Sequence, residues 1–200
     1  MHDESYDRYQ FALQEGQKRS RERSTAGEDP SLPVLDTLLE AEDVQGTIVE
    51  LPVAEIPLRL VVGVKSAGRG SAFTEDFLPL LPADSESALK WMNLCRAHLD
   101  SGIRDPILCY EYLGRFYVEE GNKRVSVLKR FGAVRVRARI RRVVPPYSEE
   151  LRIRAYYRPI VSQDGELKNG GSHSFTREEL LLMGWLCENV EGYFPGIATF

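Results

Sequence analysis

The sequence predicts an α+β fold: a small mixed sheet packed with helices and flanked by further helical segments. Three stretches carry this prediction. Residues 83–102, "ADSESALKWMNLCRAHLDSG", repeat apolar side chains at helical spacing. Residues 105–120, "DPILCYEYLGRFYVEE", form two apolar runs around a glycine and read as a hairpin. Residues 133–143, "AVRVRARIRRV", alternate with a period of two, the signature of a half-buried strand.

From the N-terminus, residues 1–24 read as a charged helix with Tyr6, Tyr9 and Leu13 as its apolar positions. Its basic run, Lys18 to Arg23, reads as a solvated tail or as a contact for an acidic partner. "TAGEDPSLP", residues 25–33, is linker-like, and "VLDTLLEAEDVQG" is a short helix ending near Gly46. "TIVELPVAEIPLRLVVGV", residues 47–64, holds two β-branched stretches broken by Pro52 and Pro57. Proline cannot donate to a ladder, so these strands belong at a sheet edge or at strand starts. "KSAGRGSAF", residues 65–73, has two glycines and two cations but lacks the Gly-Lys-Ser/Thr ending of a P-loop. It reads as a phosphate loop or as a flexible surface loop.

In the helix that follows, Asp84 or Ser85 can cap the N-terminus and Gly102 the C-terminus. Ala88, Trp91, Met92, Cys95 and Leu99 form one apolar stripe, so Trp91, Cys95 and His98 read as core and rim. The hairpin pairs Ile107–Tyr112 with Phe116–Glu119 through Leu113, Gly114 and Arg115. Residues 122–131 return to helical spacing and end at Gly132. The alternating strand then turns Val134, Val136, Ala138 and Ile140 one way and Arg135, Arg137, Arg139 and Arg141 the other. Pro145 and Pro146 stop it. Beyond them, Ser148 can cap a short helix, "QDGELKNGGSHS" is a glycine-rich linker, and Thr176 with Glu179 forms a capping box for a helix over 175–190. That helix has a wide apolar face and is expected to dock on another protein or on a second copy of the chain.

The 200 residues carry a net charge of −4, and charge is unevenly spread. From Gly121 to Arg142 there are nine cations and no anion, while the rest of the chain holds 17 cations against 30 anions. A local basic surface on an acidic chain concentrates anions at one place. The three cysteines are odd in number and widely spaced, which suits reduced thiols and a cytoplasmic protein. The three histidines do not cluster with them, so no metal site is expected. No apolar run is long enough to cross a bilayer, no signal peptide is visible, and no internal repeat is found.

Chemistry concentrates at the join between the hairpin and the next helix, "YVEEGNKRVSVLKRFGAV", residues 117–134. A helix N-terminus offers unpaired N–H groups and a partial positive charge, and a glycine there lets a ligand approach the backbone. The outcome is an anion site. Lys123 and Arg124 in the first turn would be repelled by the helix dipole without a counter-ion, a conflict typical of functional sites. Arginine can hold two phosphate oxygens, lysine adds a point charge, and Asn122 can cap the helix or hold a ligand oxygen. Glu119 and Glu120 point to opposite faces of the strand. One of them can coordinate a nucleotide's Mg2+ or act as a base, and the bland alternative is that both pair with nearby cations.

Residues 102–140 resemble the ParB/sulfiredoxin superfamily. The pattern is carried by Gly102, Ile103, Pro106, Ile107, Glu120, Gly121, Arg124, Gly132 and the strand from Val134. The phrase "YVEEGNKRVSVLK" is similar to ParB-like domains of bacterial proteins. With "IVELPVAEIPLRL" and the Trp91 helix, the resemblance covers residues 47–143. It implies three regions: an N-terminal helical extension and linker at 1–46, a ParB/sulfiredoxin-like domain at 47–146, and a C-terminal helical appendage at 147–200. It also implies a nucleotide, CTP, ATP or ADP with Mg2+, whose phosphates sit on Gly121, Asn122, Lys123 and Arg124. ParB proteins carry Gly-Glu-Arg-Arg here, so Asn122 and Lys123 depart from the CTP pattern. Sulfiredoxins carry Gly-Cys-His-Arg. Asn122 stands in place of the reductant, and an amide cannot act as a thiolate. Related free serine kinases carry Asp-Gly-x-x-Arg, and Glu120 keeps an acid before the glycine. Glu120 and Glu119 are therefore the candidate catalytic residues. The leading expectation is a nucleotide-dependent regulator. The alternatives are a DNA, RNA or protein-interaction module acting through Arg135, Arg137, Arg139 and the rest of the strand to Arg142, and a small-molecule kinase or ParB-like nuclease. No complete helix-turn-helix follows Pro146, so DNA contact is expected to be with the phosphate backbone.

Overall fold

The computed structural model describes residues 3–145. The expectations for residues 146–200, including the cap at Ser148 and the helix over 175–190, lie outside the described residues. Nine main elements follow in order: α1 (Glu4–Thr25), α2 (Leu35–Ala41), β1 (Thr47–Pro57), β2 (Val61–Val64), α3 (Glu86–Ser101), β3 (Ile107–Tyr112), β4 (Arg115–Glu120), α4 (Asn122–Arg130) and β5 (Arg135–Val144). The class is α+β, with one five-stranded mixed sheet in the order β1-β5-β3-β4-β2. β1 pairs antiparallel with β5, and β3 antiparallel with β4. The β3–β5 and β2–β4 pairs are parallel.

β1 is an edge strand, as its prolines require, and a bulge between Leu51 and Ala54 accommodates Pro52. One sheet face carries the main core. Val118, Cys109, Ile107, Ala138 and Ile140 pack there against Trp91 and Cys95 of α3 and Val125 and Leu128 of α4. The Trp91 indole donates to Ser126 Oγ at 2.8 Å and ties α3 to α4 inside this core. The opposite face carries a smaller cluster of Tyr110, Tyr112, Tyr117 and Val143 under Leu35 of α2.

Several expectations change. The basic run on α1 is not a tail: the helix continues to Thr25, and Arg19 pairs with Asp76 and Arg23 with Glu75. The linker-like stretch is docked, because Leu32 is buried and residues Ser31 and Val34 bridge to Thr74 and Val64. Leu32 is the apolar residue that holds it down. The second helix stops at Ala41, short of Gly46. Tyr6 and Leu99 are exposed, while Tyr9 and Leu13 enter the core. Val134 is 77% exposed rather than inward, since strand pairing begins only at Arg135, opposite Pro57. The largest change is Arg142, which is fully buried with Glu111. The period of two puts residue 142 on the core face with Ile140, and the register places Glu111 directly opposite as its counter-charge.

Candidate functional site

β4 ends at Glu120, and the chain turns through Gly121 at φ 111° into α4. A Cβ on residue 121 would lie 2.7 Å from Ile107 Cγ2 and 3.4 Å from Arg124 Nη1, so sterics as well as backbone angle require glycine. Arg124 Nη1 donates to the Pro106 carbonyl at 2.8 Å. Pro106, Ile107, Gly121 and Arg124 therefore interlock, and their co-occurrence in the sequence has a packing cause. Glycine supplies no side-chain cap. Asn122 is the first helical residue rather than the cap, and it is buried.

The start of α4 opens on a cleft of about 640 Å³. Gly121, Asn122, Lys123, Arg124 and Glu119 line one side. Lys90, Asn93 and Leu94 of α3 line a second, and Gly68, Ala72 and Phe73 a third. The volume falls in the range of small-molecule sites. Its lining residues include three cationic and one acidic side chain, so its field favours anions. Lys90 Nζ lies 2.5 Å from Glu86, one turn earlier on α3. The hydrogen bond and charge of Lys90, with the charge of Lys123, hold the Glu86 carboxyl below the usual carboxylate range.

The two glutamates separate. Glu119 lines the cleft, and its Oε2 sits 3.2 Å from Arg141 Nη1. Arg141 also reaches Glu50 at 3.1 Å and the Tyr110 hydroxyl at 3.4 Å. Glu120 is exposed and is not part of the cleft wall.

The nine-cation segment does not make one patch. Lys123 and Arg124 face the cleft. Lys129 donates to the Val61 carbonyl at 3.1 Å, and burial lowers its pKa. Arg130 pairs with Glu15 at 3.3 Å. Arg137 and Arg139 are exposed on the open sheet face, Arg135 is half-buried, and Arg142 belongs to the core. The structure thus brings Glu119, Gly121, Asn122, Lys123 and Arg124 together, and leaves Glu120, Arg135, Arg137 and Arg139 outside the cleft.

Sequence reasoning missed Lys90, Asn93 and Leu94. They sit at i, i+3 and i+4 on α3, beside the apolar stripe, and read as an ordinary solvated face. The loop at residues 65–73, read in sequence as a phosphate loop or a flexible surface loop, contributes Gly68, Ala72 and Phe73 to the lining. Only the folded chain brings Gly68 and Gly121 to one cleft.

No protein-family model matches the chain, and no curated protein matches it. Among solved structures, the chain is similar to sulfiredoxin from Arabidopsis thaliana, with 22% identity and a TM-score of 0.32. That likeness covers 46% of this chain and 86% of the other.

Proposed function

We propose that this chain is a ParB-like nucleotide-binding protein that seats the phosphates of CTP, ATP or ADP at the start of α4 and works as a nucleotide-dependent regulator. One observation carries the reading. Lys90, Lys123 and Arg124 converge from two helices on a cleft at an N-terminus that no side chain caps. Backbone N–H groups, a helix dipole and three cations suit a di- or triphosphate. The Leu94 and Ala72 side offers apolar surface for the remainder of the ligand.

Calorimetric titration of CTP, ATP and ADP, each in magnesium and in EDTA, tests this. Arg124 is also a structural residue, so Lys90→Gln and Lys123→Gln are the informative variants. Binding by wild type in either buffer, weakened about tenfold by each variant with the melting temperature unchanged, is the expected result; a lost phosphate contact is worth about 1.5–3 kcal/mol. Absence of binding in both buffers, or equal binding by all proteins, overturns the reading.

A second reading, contact with a nucleic-acid backbone, is favoured by the exposure of Arg137 and Arg139. It predicts steeply salt-dependent DNA binding that Arg137→Gln and Arg139→Gln each weaken. Salt-insensitive binding counts against it.

A further inference from the structure

We propose that the cleft binds its phosphate ligand without a divalent cation, and that Mg2+ competes with the protein for that ligand. This rests on the nucleotide reading above. It departs from the expectation that a glutamate beside Gly121 holds the nucleotide's metal.

The donor set is the reason. Mg2+ bound with a nucleotide takes one or two protein carboxylates together with phosphate oxygens and water. Glu119 is the carboxylate on the cleft wall, and it is paired with Arg141 at 3.2 Å. Recruiting it to a metal would break that pair and leave Arg141 to Glu50 and Tyr110. Glu86 is not on the wall and is paired with Lys90 at 2.5 Å. Glu120 is exposed and lies outside the wall. The wall instead presents Lys123 and Arg124, with Lys90 in its pair with Glu86. These cations do the neutralising that Mg2+ does in sites with few basic residues. A metal already on the phosphates would cancel two of the negative charges that these cations attract, and the metal would itself be repelled by them.

The test compares the affinity of ATP and of base-free tripolyphosphate in EDTA and in millimolar Mg2+, at constant ionic strength. Mg2+ weakening both ATP and tripolyphosphate about three- to tenfold relative to EDTA is expected from the charge removed, and equal affinity in the two buffers overturns the inference. Glu119→Gln removes a repulsive charge and is expected to tighten binding in EDTA about two- to fivefold. Binding that appears only with Mg2+, or that Glu119→Gln or Glu120→Gln abolishes in Mg2+, overturns this inference while leaving the nucleotide reading intact. Absence of binding in both buffers overturns the nucleotide reading itself, and this inference with it.

Discussion

Two residues show how local chemistry is resolved by packing. Gly121 reads in sequence as the point where a ligand can approach the backbone, and it is also a steric necessity beside Ile107. Gly121→Ala forces a Cβ to 2.7 Å from Ile107 Cγ2 at a φ of 111°. It is expected to cost about 1–3 kcal/mol in urea unfolding and to weaken nucleotide binding as α4 shifts. Arg142 is the second case. Its guanidinium and the Glu111 carboxylate are both fully buried, and Glu111 also accepts from Gly114 N–H at 2.7 Å in the hairpin turn. Arg142→Met alone strands a buried carboxylate and should cost about 3–5 kcal/mol. Adding Glu111→Leu removes the stranded charge and should restore most of that stability in the same unfolding assay. Equal losses in the single and double variants would assign the cost to packing instead.

At the scale of elements, α1 is the piece whose role the sequence concealed. Its Tyr9 ring meets Trp91 edge-on with centroids 5.3 Å apart, and its cations pin the loop that carries Glu75 and Asp76. That loop leads from Ala72 and Phe73 on the cleft wall, so α1 braces the site from behind. Gly16 makes the approach possible. A Cβ there would lie 2.5 Å from the Pro79 carbonyl oxygen and 3.1 Å from Leu78 Cβ. Helix propensity alone favours Gly16→Ala by about 1 kcal/mol. The contact with backbone should outweigh it, and the melting temperature is expected to fall. A rise would show that the loop yields without loss.

For the whole molecule, α1, α3, α4 and the inner sheet face share one core, which also takes in Leu32 from the segment before β1. Its alkaline stability carries a readable signature. Burial pushes the Tyr9 hydroxyl up to about 12 from an ordinary value of 10.0, against a smaller opposite effect of the Ser85 side chain. The folded protein then keeps a proton that the unfolded chain releases, so stability is full below pH ~10 and falls as pH rises toward ~12. The loss is about 2–3 kcal/mol. Tyr9→Phe should flatten that part of the pH–stability curve, at about 1 kcal/mol lower stability near neutrality for the lost hydrogen bond to the Leu81 carbonyl, 2.7 Å long. A variant curve parallel to wild type would assign the alkaline loss to other groups. Among the described residues, no helix is long and apolar enough to cross a membrane.

The sequence alone determined the helix of Ala88, Trp91, Met92 and Cys95, the hairpin, the turn at Gly121 and the alternation of β5. Each depends on spacing within a single element, and local periodicity with cap and turn chemistry suffices to specify it. The same locality made Gly121 to Arg124 legible as one half of a site. Only the tertiary structure decided which residues meet across elements. It brought Lys90, Asn93 and Gly68 to the same cleft as Gly121 and Lys123, gave Glu119 to Arg141, and buried Arg142 on Glu111. A charge in sequence has no partner until strand register and helix packing supply one. The nine cations that look like one basic patch are therefore divided among a cleft, a core, a helix flank and an open sheet face.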